Sequence, residues 1–363
     1  MLRFGLLHLF ESPRGRTESQ FYTENIELME FADDVGLDEI WFAEHHFSDY
    51  GVMPSTQIMG SYIAARTKRI RIGTAVVVLP FHNPVRVAEE FAFLDVLSDG
   101  RLDFGVGRGY QPGEFAGYGI PFGESRGRFD ESLEIIQQAW SKGSVDFKGK
   151  HFHFENVTPR PRPVQKPHPP FFGASFNPET IKYQAEKKLN LLFTPLSAPP
   201  DKLQEYWDIL KSKGEDPNAY RVGGLVFVYV HEDREKALRD FEEPCMWYFR
   251  TFTDLIPASK YPAGENYYMS LHDTLKATLA SYDRKEMSFE TLANEGPFQH
   301  AFLVGDPAFV RNKLEGLLKS YEGITDVLCW TRLGGLDQKK VMRSMELFLK
   351  EVVAPLREGR AQP

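Results

Sequence analysis

The chain has 363 residues, 42% of them hydrophobic, with a formal charge of −8, which supplies ample apolar material for a large core. A negative balance without blocks of like charge offers no electrostatic footprint for nucleic acid or an anionic membrane, so any bound anion has to be held locally. The two cysteines, Cys245 and Cys329, lack CxxC spacing and read as buried thiols, and no signal-like or long apolar run is seen, which predicts cytoplasmic residence.

Short β-rich runs alternate with amphipathic stretches about eight times, as a (β/α)8 barrel requires. Strands are expected at 4–8, 39–42, 70–77, 102–106, 170–173, 190–193, 222–230 and 326–330. Helices are expected near 19–35, 56–65, 84–97, 126–140, 178–188, 201–213, 234–250 and 336–353. The predicted fold is therefore α/β, a TIM barrel forming one domain over 1–363, with a parallel sheet inside and helices outside. Two insertions are expected. A hairpin at 146–158 with a proline-rich connector at 159–170 precedes the fifth strand, and the long stretch 251–299, with a short helix near 271–281, follows the seventh. A further helix, 307–320, precedes the last strand.

Reactive residues gather where the strands end. The second strand runs into Glu44-His45-His46; alternation puts His45 on one face with Trp41 and Ala43, and Glu44 with His46 on the other. One imidazole therefore faces the barrel mouth, and ligands on opposite faces argue against a metal site. Taken alone, either histidine is equally a hydrogen-bonded structural residue. Gly107-Arg108-Gly109 after the fourth strand offers a guanidinium and bare amides to an anion. Ser175-Phe176-Asn177-Pro178 offers a helix N-terminus, with a plain helix cap as the alternative. Arg126 and Arg128 open a helix, where a cation opposes the dipole unless an anion is near. Aromatic candidates for the mouth are His8, Phe81, Tyr110, Phe193, Tyr229 and Trp330.

Four stretches carry a resemblance: 36–47 (GLDEIWFAEHHF), 73–86 (GTAVVVLP followed by NPVR), 98–109 (SDGRLDFGVGRG) and Ser344-Met345-Glu346-Leu347-Phe348. In order and spacing they resemble the bacterial luciferase-like, flavin-dependent monooxygenases, particularly the larger, catalytic luciferase subunit. The resemblance implies a barrel binding reduced FMN from a separate NAD(P)H:flavin reductase, and using O2, through a C4a-peroxyflavin, to oxidise a small apolar substrate. It makes His45 the catalytic acid/base, Glu44 an orienting group, and Ala75–Val76 a non-prolyl cis peptide beneath the flavin. It also favours Arg126 over Arg128 for the phosphate, and replaces the larger subunit's reactive cysteine by Gly107, which widens the pocket. The expected cofactor-binding set is Glu44, Ala75, Val76, Gly107, Arg108, Tyr110, Arg126, Gly173, Ala174 and Ser175, with no metal. The resemblance also implies a mobile lid at 251–299 and a homodimer through 56–65 and 84–97. Two other readings are a deazaflavin-dependent dehydrogenase on the same barrel and a noncatalytic flavin-binding partner subunit.

Overall fold

The computed structural model describes residues 2–13, 15–261 and 266–361. Its strands are β1 (Arg3–His8), β2 (Glu39–Phe42), β3 (Arg71–Thr74), β4 (Val77–Val78), β5 (Leu102–Gly107), β6 (Val145–Lys148), β7 (His153–Val157), β8 (Phe171–Ser175), β9 (Asn190–Phe193), β10 (Val222–Val230), β11 (Phe302–Gly305) and β12 (Asp326–Trp330). The helices are α1 (Glu18–Val35), α2 (Thr56–Arg66), α3 (Pro84–Leu97), α4 (Pro112–Gly117), α5 (Ser125–Ser141), α6 (Glu179–Glu186), α7 (Pro200–Ser212), α8 (Arg234–Leu255), α9 (Asn266–Asp283), α10 (Phe289–Asn294), α11 (Pro307–Ser320), α12 (Gln338–Leu347) and α13 (Ala354–Ala361).

Eight parallel strands close on themselves in the order β1, β2, β3, β5, β8, β9, β10, β12 and back to β1, with helices flanking the ring. This is the predicted (β/α)8 barrel. Covered on both faces, its strands are almost entirely apolar, as in the nine-residue β10, VGGLVFVYV. Local signals fix several helix starts. Thr17 and Gln20 form a capping box before α1, Asn83 caps α3 with Pro84 in its first turn, and Asp306 with Pro307 does the same for α11. Inside the barrel, small residues make room for large ones. A side chain at Gly73 would collide with the Trp41 ring, and one at Gly223 would sit 2.8 Å from a Leu192 methyl.

The ring departs from its outline in three places. The strand expected at 70–77 is broken into β3 and β4 at Ala75–Val76, whose peptide bond is cis. An unforeseen strand, β11, pairs with Phe227–Val230 on the side of β10 that β9 occupies lower down, at Val222–Gly224. Upper β10 thus parts from β9, opening the wall beside Phe193, Thr194 and Leu225. The helix expected at 234–250 continues to Leu255, and the short helix near 271–281 is the longer α9. The residues after Pro244 are mostly weak helix formers, and it is the burial of Cys245, Met246, Tyr248, Phe249 and Phe252 that carries the helix past the proline, whose cost is local. Strands β6 and β7 form the expected hairpin. No described helix is long and apolar enough to cross a membrane.

Candidate functional site

The strand ends and following loops surround one cavity of about 1210 Å³, counted to its open mouth. Its walls include Glu44, His45, Ala75, Val76, Gly107, Arg108, Tyr110, Arg126, Ala174 and Ser175. Every expected site residue except Gly173 therefore lines it. Gly173 lies immediately behind, where a side chain would collide with Gln184.

His45 follows β2 and is held by an acid the sequence reading missed. Glu114 Oε1, on α4, stands 3.0 Å from His45 Nδ1 and accepts the His46 backbone N–H at 2.9 Å. A carboxylate in that position calls for the proton on Nδ1, which leaves the Nε2 lone pair without a hydrogen-bond partner among the described residues. The rings of Tyr50 and Tyr110 meet the imidazole edge-on, with centroids at 5.0 and 5.9 Å. His46 is tied down at both nitrogens, by Glu44 at 3.0 Å and by the Tyr118 hydroxyl at 3.0 Å, which is the structural alternative for that residue.

Glu44 acts as a clamp. Its carboxylate accepts the Val78 backbone N–H at 2.8 Å and meets His82 Nε2 at 2.7 Å, while its own N–H donates to Val76 O. Burial pushes its pKa upward, but the hydrogen bonds from His46, His82 and Val78 outweigh that and hold it below the ordinary carboxylate range. His82 moves the other way. Burial lowers its pKa, and the Glu44 carboxylate overcomes this and raises it. The backbone from Val76 to Val78 is thus fixed against the cavity from behind.

At the far end, anion donors collect. Arg126, in the first turn of α5, lies over the Tyr183 ring at 4.5 Å and has no carboxylate partner among the described residues. Arg128 instead pairs with Glu124 at 2.8 Å, and its guanidinium lies 5.9 Å from the Phe152 ring centroid. The Ser175 and Thr180 hydroxyls both donate to Asn177 O, at 2.8 and 2.7 Å, in the turn into α6, and Asn177 Oδ1 accepts the Glu179 N–H at 3.0 Å. Arg108 lies on the cavity wall, 5.6 Å from the Phe122 ring centroid. Gln184 donates to Ala174 O at 3.2 Å, while its Oε1 is buried without a partner.

These features fit a flavin nucleotide: a guanidinium for a phosphate, an orphaned acceptor for a ring N–H, and a wall of Ala75, Val76 and bare Gly107. The extra room expected at Gly107 is absent, because a Cβ there would stand 2.5 Å from a Val76 methyl. Of the aromatic candidates, Tyr110, Phe193 and Trp330 line the cavity; His8, Phe81 and Tyr229 do not. Gln111, Glu114, Thr180, Gln184, Tyr50 and Tyr248 escaped the sequence reading. For Glu114 a signal existed: Gln111-Pro112 opens a helix directly after the fourth strand.

The model of a family described as luciferase-like monooxygenase matches residues 2–321. The oxygenase component of a flavin-dependent trigonelline monooxygenase from Acinetobacter baylyi is 31% identical over 65% of this chain and 67% of its own. An alkanal monooxygenase alpha chain from Photobacterium leiognathi is 26% identical over 95% and 96%. Among solved structures, the oxygenating constituent of 3,6-diketocamphane monooxygenase from Pseudomonas putida, in complex with FMN, superposes with a TM-score of 0.78 at 20% identity, covering 97% and 98% of the two chains.

Proposed function

The chain belongs to the luciferase-like monooxygenase family, and from that membership we propose that it is the oxygenating component of a two-component system. In this reading a separate NAD(P)H:flavin reductase delivers reduced FMN, and O2 oxidises a small, largely apolar substrate in one catalytic barrel. The observation that carries it is a cavity whose walls hold both Arg126, which has no carboxylate partner among the described residues, and an acid-backed histidine.

Bound reduced FMN would supply the electrons that activate O2. Arg126 binds the phosphate, the hydroxyls of Ser175 and Thr180 turn to it from Asn177 O, and Gln184 Oε1 accepts a ring N–H. Glu44 holds the Ala75–Val78 backbone in place. His45 takes up or returns a proton at Nε2, with Glu114 fixing the ring's orientation. Leu7, Leu9, Phe193, Leu225 and Trp330 keep water from the reacting end. Within the stretch 251–299, of which 262–265 lie outside the described residues, the described part acts as the cover: Phe252 stacks over Tyr50 and Tyr248, Tyr268 stacks on Tyr110, and the Tyr261 hydroxyl donates to Tyr110 O at 2.8 Å.

Anaerobic titration with reduced FMN, reduced riboflavin and a reduced deazaflavin cofactor tests this reading. Reduced FMN should bind best, and Arg126→Gln should weaken it roughly tenfold to a hundredfold, the worth of one charged hydrogen bond at about 1.5–3 kcal/mol. Riboflavin binding should not change. Tight deazaflavin binding without FMN binding would move the chain to hydride transfer.

The same reading includes a homodimer through α2 and α3. Ile58 (74%), Phe93 (52%) and Leu97 (51%) are exposed there together with Tyr62, more apolar surface than isolated exposed residues explain. Sedimentation velocity at micromolar concentration should find a dimer that Ile58→Glu with Phe93→Glu dissociates; a monomeric parent protein would refute it.

A further inference from the structure

One wall of the cavity is a string of phenols. Tyr110 donates its hydroxyl proton to the Tyr50 hydroxyl at 3.0 Å, and Tyr50 lies 3.4 Å from the Tyr248 hydroxyl. The Gln111 amide lies between the string and the catalytic end: it donates to the Tyr110 hydroxyl at 3.5 Å and stands beside the His45 ring, whose Nδ1 proton is taken by Glu114. Tyr50 and Tyr248 are almost wholly buried, and all three tyrosines line the cavity.

A hydroxyl has a single proton to donate. Tyr110 donates to Tyr50, and the Tyr50–Tyr248 contact carries one further proton in either direction; taken as Tyr50 donating to Tyr248, it leaves the Tyr248 proton with no acceptor among the described residues. Of its polar neighbours, Thr194 Oγ1 already accepts the Leu196 backbone N–H at 3.2 Å while donating to Leu225 O at 3.0 Å, and the Trp330 indole is a donor only, spent on Glu11 Oε1 at 3.0 Å. The other side chains around Tyr248 include Leu225, Phe176, Phe227 and Phe252, which offer no acceptor. A buried donor left unmet is costly, so a site of this kind gains from a ligand that brings the missing acceptor.

We propose that Tyr248 is a specificity-determining residue whose phenolic O–H receives a carbonyl or similar acceptor oxygen of the substrate, in a pocket that is otherwise aromatic and apolar. The inference rests on reading the cavity as a chamber for flavin and substrate together. It predicts that the substrate class is aryl or bulky alkyl carbonyl compounds rather than hydrocarbons, and that Tyr50 tunes the donor without making the contact.

The test uses the full-length protein saturated with reduced FMN under anaerobic conditions and two isosteric probes, 2-acetylnaphthalene and 2-isopropenylnaphthalene, which differ in C=O against C=CH2. Calorimetry should find the ketone bound about threefold to tenfold more tightly, the worth of one neutral hydrogen bond, and infrared spectra should place its bound C=O stretch below the value in an apolar solvent. Tyr248→Phe, which keeps the ring, should erase both the preference and the shift while leaving the alkene's affinity unchanged. Tyr50→Phe should keep both. Equal binding of the two probes, or a preference that survives Tyr248→Phe, would overturn the assignment of Tyr248 alone. If neither probe binds the loaded protein, the proposal falls together with the chamber reading.

Discussion

Strand β2 carries an acid near each end, and the two live in different chemistry. At the floor of the barrel, Glu39 Oε2 accepts from Arg221 at 2.7 Å. The same guanidinium donates to Asp103 at 2.9 Å and pairs with Asp326, while Arg71 donates to Asp103 at 2.7 Å. All three carboxyl side chains are fully buried. Burial would push the Asp103 pKa up, but the two guanidinium groups overcome it and hold it low. Burial, with Asp326 and Asp103 adding to it, pushes Glu39 up instead, against the pull of Arg221. At the mouth, five residues along from Glu39, Glu44 and His45 border a void, and several groups there keep an unused valence: His45 Nε2, Gln184 Oε1, the Arg126 charge and the Tyr248 hydroxyl. The floor spends its charges on itself. The mouth keeps them for a ligand, which is the usual division between the two faces of such barrels.

The sharpest way to break that contrast is Arg221→Met. Removing the central cation strands buried carboxyl groups, and losing one partner of a buried ion network costs about 3–5 kcal/mol. Denaturant unfolding should record a loss of that size, while Arg126→Gln at the mouth leaves the midpoint within about 0.5 kcal/mol of the parent, as surface substitutions usually do. A destabilisation by Arg126→Gln matching that of Arg221→Met would mean the mouth is also structural.

How much of this could be read from the chain follows from the same contrast. The ring of eight strands was legible because parallel strands buried on both faces are nearly continuous apolar runs. Strand β11 was not, because Phe302–Gly305 stands outside the strand–helix alternation of the ring and gains strand pairing only through tertiary contact with upper β10. His45 and Arg126 stood out by position and chemistry within motifs that carried the family resemblance. Glu114 and Tyr248 lie 69 and 203 residues from His45 (114 − 45 and 248 − 45), on helices whose facing only the folded barrel decides. Likewise, the closing of the Gly107 gap by Val76 is a matter of packing, which no pattern of residue types encodes.

A smaller effect sharpens the comparison by separating the two ends along the pH scale. His8, at the upper end of β1, is buried, and its Nδ1 accepts the Phe10 backbone N–H at 3.1 Å. Burial, with the Arg332 charge adding to it, lowers its pKa from 6.5 to about 3. Because the folded value is depressed, the unfolded chain takes up the proton first: His8 contributes fully above pH 6.5 and loses its contribution as pH falls toward 3. Between pH 8 and pH 5 the loss is about 2 kcal/mol by linkage. The floor answers later, since the depressed Asp103 contributes above its ordinary value of 3.8 and fades only below it. Nearby Glu11, whose pKa burial raises well above 4.5, gives a slope of opposite sign, so parent stability alone is a poor readout. The difference between parent and His8→Asn cancels that slope, and Asn Oδ1 can still accept from Phe10. That difference should shrink by about 2 kcal/mol from pH 8 to pH 5; a difference independent of pH would mean that His8 titrates alike in the folded and unfolded chains, and that the mouth is no more acid-sensitive than the floor.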